Sequence, residues 1–319
     1  PRAIADQVRP AIREALAAQQ GSVLVFLPGQ AEIRRLMEQL QDALPADVEL
    51  TPLFGDLDAR AQDAAVAAAA PGRRKVVLAT ALAESSLTID GIQVVIDAGW
   101  SRVSRFDPST GLARLLTEKA AVAQADQRRG RAGRLGPGVC WRLWTAVDQQ
   151  RRPLQPTPEI LGSDPAPLAL ELALWGAAEG EELAFLDPPP QGPLLQARLL
   201  LQELGALFPN GQPTPRGRSM AALGLHPRMG AMVLRATDLE LPATELGLPP
   251  LPSEQRQALA CVIAALLGER DPLRQDAAGA DLCLRLDLLE QRSRTGAMAP
   301  IRQLSLIHIS EPTRQASIA

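Results

Sequence analysis

A parallel α/β sheet covered on both faces by helices, followed by mostly α-helical modules, is the fold class the sequence predicts. Three observations carry it. Short apolar runs bounded by Gly and Pro alternate with segments of helical periodicity through about residue 145, the pattern of repeated strand–helix units. Beyond residue 150 such runs stop, and Pro-rich breaks separate helical stretches. The composition fits a globular chain: 319 residues, 46% hydrophobic and 22% charged, enough for two or three domains with cores of their own.

The elements follow in order. Ile4, Val8, Ile12 and Leu16 recur every four residues and predict an amphipathic helix over 3–19. The run Gly21-Ser22-Val23-Leu24-Val25-Phe26-Leu27-Pro28-Gly29 fits a strand buried on both faces. Helical spacing returns over 30–43 through Ile33, Leu36, Met37 and Leu40, and again in the Ala-rich stretch 58–70. Further strands are expected at 48–53, 75–80 and 94–97. On such a sheet ligands bind at the loops after strand C-termini. Residues 102–106 and 112–116 flank Asp107-Pro108-Ser109-Thr110-Gly111, which reads as a β-hairpin whose arginines project from the sheet. The stretch Arg151-Arg152-Pro153-Leu154-Gln155-Pro156-Thr157-Pro158 cannot continue a helix and marks a boundary. Helices are expected near 165–177, 192–206, 217–238 and 253–268, with a small β-wing at 208–213.

The net charge of −3 excludes a protein that is basic all over. Between residues 102 and 134, however, Arg102, Arg105, Arg114, Lys119, Arg128, Arg129, Arg131 and Arg134 face only Asp107, Glu118 and Asp126. Such a patch concentrates phosphates locally, although a solvated surface has the same composition. Cys140, Cys261 and Cys283 show neither metal spacing nor a disulfide framework and read as reduced core residues. No apolar run reaches the ~18 residues of a membrane span. The N-terminus lacks the apolar core of a signal peptide, so the expected location is the cytoplasm. Residues 303–319 differ in character from the rest and are expected to be a non-native tail. His226, in Leu225-His226-Pro227-Arg228, reads as a helix cap, and Trp100, Trp141, Trp144 and Trp175 as core.

Two motifs carry chemistry. In Gln127-Arg128-Arg129-Gly130-Arg131-Ala132-Gly133-Arg134, Arg131 and Arg134 are three residues apart, so on a helical turn they share a face and can grip one polyphosphate. Taken alone, the run could also be a generic basic turn. The stretch from Ala79 to Gly91 leaves a strand with hydroxyls and carboxylates on its loop, which suits nucleotide or strand contacts and equally an ordinary capped turn.

In this order and separation the two stretches resemble motifs V and VI of superfamily 2 helicases. Val23 to Thr145 resembles the second RecA-like domain of the DEAH-box helicases, with Phe26-Leu27-Pro28-Gly29-Gln30-Ala31-Glu32-Ile33 similar to motif IV. Phe106-Asp107-Pro108-Ser109-Thr110-Gly111-Leu112, the stretch from Met220 to Met229 and that from Ala264 to Leu273 resemble the bacterial HrpB-type branch. The resemblance spans nearly all of residues 3–302.

It implies an ATP-driven RNA helicase and gives the residues roles. Arg131 and Arg134 match arginine fingers for the γ-phosphate, and Gln127 the glutamine that orders the attacking water. Ser86, Thr88 and Asp90 match the part of motif V near the nucleotide. Thr80 matches a threonine on the RNA backbone, and Gly29, Arg102 and Arg105 fall to the nucleic-acid side, the arginines on the strand-separating hairpin. Ala81 and Ser85 replace the usual asparagine and threonine, and Val66 stands where an aromatic would stack on adenine. The cofactor implied is ATP with Mg²⁺, and the partner single-stranded or partly duplex RNA. No phosphate loop of the form Gly-x-x-x-x-Gly-Lys-Ser/Thr and no Asp-Glu-Ala-His segment occurs. The resemblance assigns both, with the Mg²⁺ site, to a first motor domain N-terminal to this chain. The expected domains are a second RecA-like domain (1–150), a winged-helix-like module (151–212) and a helical ratchet-like module (213–302). A non-catalytic nucleic-acid-binding module and a DNA helicase are the alternatives.

Overall fold

The computed structural model describes residues 2–84, 87–134, 136–177, 180, 183–238, 251–268 and 281–294. They fall into two compact units that divide between Ser163 and Asp164.

The first unit is built on five parallel strands, β1 (Ser22–Phe26), β2 (Val48–Leu53), β3 (Arg74–Ala79), β4 (Ile92–Asp97) and β7 (Val139–Arg142), in the order β2-β3-β1-β4-β7. Alternation in β1 explains why its sequence is apolar throughout. Val23 and Val25 join a core with Ile12, Ile33, Leu36 and Leu40 from helices α1 (Arg2–Ala18) and α2 (Gln30–Leu40). Leu24 and Phe26 join the opposite core with Val77, Val95 and Ala65 of α3 (Ala59–Val66). A strand buried on both faces has no position left for polar alternation. The third strand begins with a buried lysine: Lys75 Nζ donates to Ala64 O at 2.6 Å and Ala67 O at 2.9 Å, satisfying carbonyls at the end of α3.

The hairpin is longer than expected. Strands β5 (Trp100–Asp107) and β6 (Leu112–Lys119) form an antiparallel pair in register from Trp100 opposite Lys119 to Asp107 opposite Leu112. At its tip the Asp107 carboxylate accepts from Ser109 N at 3.0 Å and Ser109 Oγ at 2.6 Å, and Gly111 adopts φ 66°, where only glycine is unstrained. Helix α4 (Val122–Arg129) leads from the hairpin to β7, and the short α5 (Ala146–Gln150) follows. The chain then runs back beneath the hairpin, where Phe106 N donates to Gly162 O at 2.8 Å.

The second unit is helical. Helices α6 (Ala166–Trp175) and α7 (Gln191–Glu203) pack through Leu170, Ala173, Leu194 and Leu201, joined by Met220 of α8 (Pro215–Ala222) and Ala231 of α9 (Pro227–Arg235). A second cluster joins Val233 and Ala236 to Cys261 and Ala264 of α10 (Ser253–Gly268), and α11 (Leu282–Arg294) follows in the chain. The single helix expected over 217–238 is two helices. Gly224 at φ 63° ends the first and Pro227 opens the second. His226 is the cap between them: its Nδ1 accepts from Arg228 N at 3.2 Å, so the hydrogen on Nε2 points to Asp164 at 2.9 Å. The expected wing is one β-bridge, Leu207 with Pro213, because proline cannot donate to extend the ladder. Trp175 is 76% exposed at the end of α6 and Cys283 is exposed, so neither is the core residue that the sequence suggested. No helix among the described residues is long and apolar enough to cross a membrane. The expected tail, 303–319, lies outside the described residues.

Candidate functional site

The C-terminal edge of the sheet gathers the motif residues. Strand β3 ends at Ala79, Thr80 N donates to Leu53 O at 3.1 Å, and a 3-10 turn, Ala81–Ala83, leads to Glu84. There the chain meets α4, and the residue that joins them is Arg128, which the sequence reading left without a role.

Arg128 is 1% exposed, lies over the Phe26 ring at 5.2 Å and uses all five guanidinium N–H donors. Nε and Nη2 donate to Glu84 Oε1 at 2.7 and 2.6 Å. Nη1 donates to Asp97 Oδ1 at 2.8 Å and Trp100 O at 3.2 Å, and Nη2 also to Ser101 Oγ at 2.7 Å. Burial works against its charge, and Asp97 and Glu84 more than offset that, so the guanidinium is held above the ordinary arginine range. A helical signal for its burial was present. Ala121, Ala125, Arg128 and Ala132 recur at spacings of four, three and four, and all four are buried.

Arg131 and Arg134 do not share a helical face. Helix α4 ends at Arg129, and Arg131 N and Ala132 N bond three residues back, to Arg128 O and Arg129 O, which tightens the chain into a turn through Gly130. The two side chains converge on the loop after β3. Arg131, 7% exposed, donates from Nη1 to Leu87 O at 2.6 Å and from Nε and Nη2 to Glu84 O. Burial first, and then the neighbouring Arg134, lowers its affinity for the proton. Arg134 is exposed and donates to Thr88 Oγ1. Among the described residues neither arginine has a carboxylate within ion-pair distance, which leaves uncompensated positive charge suited to a polyphosphate. Gln127 is exposed on α4 one turn before Arg131, and Asp90 is exposed, its N–H bonded to Val66 O at 3.3 Å. Thr80 is half-buried, with no side-chain bond into the turn it precedes. Ser86 lies outside the described residues. No group of three or more His, Cys, Asp or Glu able to hold a metal ion occurs among the described residues.

The structure also brings Gly29 and Arg102 together. A Cβ at Gly29 would meet Arg102 Nη1 at 2.5 Å, so the guanidinium lies against the bare backbone at the start of α2. Arg102 is exposed. Arg105 is not free: it pairs with Glu118 at 3.2 Å and lies against Gly162, on the wall of a cavity of about 230 Å³ beside the hairpin. Arg114 pairs with Asp107 at 3.4 Å. Of the hairpin arginines named from the sequence, Arg102 projects and Arg105 is tied down by its own strand partner.

The model of the helicase conserved C-terminal domain matches residues 7–136. The chain is 46% identical over 239 residues to ATP-dependent RNA helicase HrpB of Escherichia coli, covering 75% of this chain and 29% of that protein. It is 38% identical over 227 residues to the pre-mRNA-splicing factor ATP-dependent RNA helicase prp22 of Schizosaccharomyces pombe, covering 69% of this chain and 19% of that protein. A crystal structure of the E. coli DExH-box NTPase HrpB superposes with TM-score 0.76 at 40% identity, covering 93% of this chain and 35% of the other. The chain thus spans about a third or less of the length of these relatives.

Proposed function

The chain belongs to the DEAH-box helicases of the HrpB type, and from that premise we propose that it forms the second motor domain and following modules of an ATP-driven RNA translocase. The observation that carries this reading is the pair Arg131 and Arg134, cations without carboxylate partners among the described residues, anchored to the loop at the C-terminal edge of a parallel sheet. Bound ATP with Mg²⁺ supplies the phosphoryl group that is transferred to water. In the proposal a first motor domain outside this chain contributes the phosphate loop and the Mg²⁺ ligands, since the chain contains neither motif.

Arg134 and Arg131 act on the γ-phosphate, where a guanidinium opposes the charge that grows in the transition state. Gln127, exposed one turn earlier, orients the attacking water in this reading, and Thr88 and Asp90, with the Ser86 that the motif resemblance adds, take the nucleotide role. Thr80, Gly29, Arg102 and Arg105 form the RNA side. The helical modules at 151–212 and 213–302 take the winged-helix-like and ratchet-like roles, and the protein works in the cytoplasm.

The test is phosphate release with single-stranded RNA. The 319-residue chain alone is expected to stay at background, and the full-length protein to turn over with RNA stimulation. Turnover by the chain alone would overturn the assignment of the phosphate loop to another domain.

A further inference from the structure

We propose that Arg128 is a positioning residue that couples the root of the hairpin to the loop holding Arg131 and Arg134, so that RNA engaged on the hairpin alters the phosphate-facing arginines. The inference rests on the functional reading above.

The geometry is a chain of direct bonds. Trp100 O and Ser101 Oγ, the first residues of the hairpin, accept from Arg128 at 3.2 and 2.7 Å. The same planar guanidinium holds the Glu84 carboxylate through two N–H groups, at 2.7 and 2.6 Å. Glu84 is gripped from its other end as well, since its main-chain oxygen accepts from Arg131. A displacement at the hairpin root therefore reaches Glu84 through one rigid group, and the Glu84 carbonyl is where Arg131 is fixed. Asp97, fully buried at the end of β4, anchors the guanidinium to the sheet at 2.8 Å. A guanidinium suits this task because its five donors lie in one plane and cannot reorient independently. A merely structural ion cluster would need the two carboxylates. It would not need the hairpin, yet two of the five bonds go there.

Ser101 separates the two roles. Ser101→Ala removes one bond at the hairpin root and leaves the Glu84 and Asp97 pairs intact. In the full-length protein, Ser101→Ala is expected to keep basal ATPase and to lower the melting temperature by a few degrees, since one N–H of the buried guanidinium loses its acceptor, while RNA stimulation falls about three- to thirtyfold, the range of coupling carried by single residues. Ser101→Thr, which keeps the hydroxyl, restores it. Equal stimulation in Ser101→Ala and wild type, or a proportional loss of basal and stimulated rates, overturns the proposal.

If the wild-type full-length protein shows no RNA-stimulated turnover, it is the functional reading that fails. The linkage is then read by hydrogen exchange on the 319-residue chain. Ser101→Ala should speed exchange at Glu84 and Arg131, whose N–H groups are bonded to Ala81 O and Arg128 O, as well as at residues 100–104. Faster exchange confined to 100–104 refutes the coupling.

Discussion

The arginines of the α4 turn and those of the hairpin differ in which groups hold their N–H donors. Arg128 and Arg131 are buried, and protein oxygens between the sheet edge and the loop after β3 take their hydrogen bonds. Arg105 and Arg114 face each other across the hairpin, an arrangement of like charges that disfavours pairing unless each is compensated. Each is, by Glu118 and by Asp107, through contacts open to water. The difference teaches that a basic run in sequence is not one surface. Arg128, with all five donors taken, is part of the frame; Arg131 is braced on the loop that it shares with Arg134, and Arg102 and Arg134 are the exposed ones.

The comparison breaks first at catalysis. In the full-length protein Arg134→Ala should lower kcat by at least about 10³, the effect of losing an arginine finger. It should leave RNA affinity without nucleotide nearly unchanged. Arg134 is a cleaner test than Arg131 because it is exposed and its removal disturbs one contact, to Thr88. Arg102→Ala should do the reverse, preserving basal ATPase while weakening RNA binding and flattening its salt dependence by about 0.7 in log–log slope. ATPase kinetics beside RNA titrations at several salt concentrations decide. Intact kcat with lost RNA binding in Arg134→Ala would mean that the run is a nucleic-acid patch.

Stability sharpens the same contrast. Arg128→Met leaves Asp97 buried without its cation and should cost about 3–5 kcal/mol. Arg105→Met removes a water-exposed pair and should cost about 0–1 kcal/mol. Urea unfolding of the 319-residue chain, followed by the tryptophans, measures both. Similar midpoints for the two variants would show that the network around Arg128 is no firmer than a surface pair.

Two glycines extend the contrast to the backbone. A Cβ at Gly138 would run into the main-chain oxygen of Ala132, which cannot move without shifting the turn that carries Arg131, so Gly138→Ala should cost about 1–3 kcal/mol. At Gly29 the obstacle is the far end of the Arg102 side chain, which can swing away. Gly29→Ala should therefore melt like wild type and yet bind RNA more weakly, because Arg102 has been displaced. A stability loss at Gly29 equal to that at Gly138 would place Arg102 in the frame with Arg128.

What was legible in the sequence was local. The apolar runs at 22–27 and 75–79 announced buried strands because both faces of the sheet are covered, and Asp107-Pro108-Ser109-Thr110-Gly111 announced its turn because the Asp107 side chain and a left-handed glycine make it. The motifs marked the loop and the turn that meet. The partners of Arg128 were not legible, since Glu84, Asp97 and Ser101 are 44, 31 and 27 residues away and only the strand order brings them together. Arg128 was read as charge when its spacing with Ala121, Ala125 and Ala132 put it on a buried face. Trp175 was misread because size and apolarity do not reveal which face of α6 has a neighbour. The split between α8 and α9 was missed because helical spacing continues through Gly224 and Pro227, where the backbone does not.

The smallest expected effect is the dependence on acid, and it too divides the two regions. Asp148 accepts a hydrogen bond from Lys119, at the end of the hairpin, at 2.8 Å, and this bond, with that from Thr145, holds its carboxyl below the usual range. Asp107 is held low by the hydroxyl and N–H of Ser109 at the hairpin tip. For a carboxyl whose folded pKa lies below the unfolded value of about 3.9, the stabilisation is fully present above that value. It is lost as pH falls through the folded pKa. Arg128 is shifted the other way, upward from a range that already lies far above neutrality, so its own proton stays bound throughout. As pH is lowered below about 4, the hairpin ends should therefore loosen while the guanidinium of Arg128 keeps its charge. Hydrogen exchange on the chain between pH 5 and pH 3, corrected for intrinsic rates, should show protection falling first at Ser109–Gly111 and at Lys119, and Asp107→Asn should remove the pH dependence at the tip. Protection falling first at Glu84 and Ser101 would reverse the order of the two regions and show that the buried cluster is the weaker of them in acid.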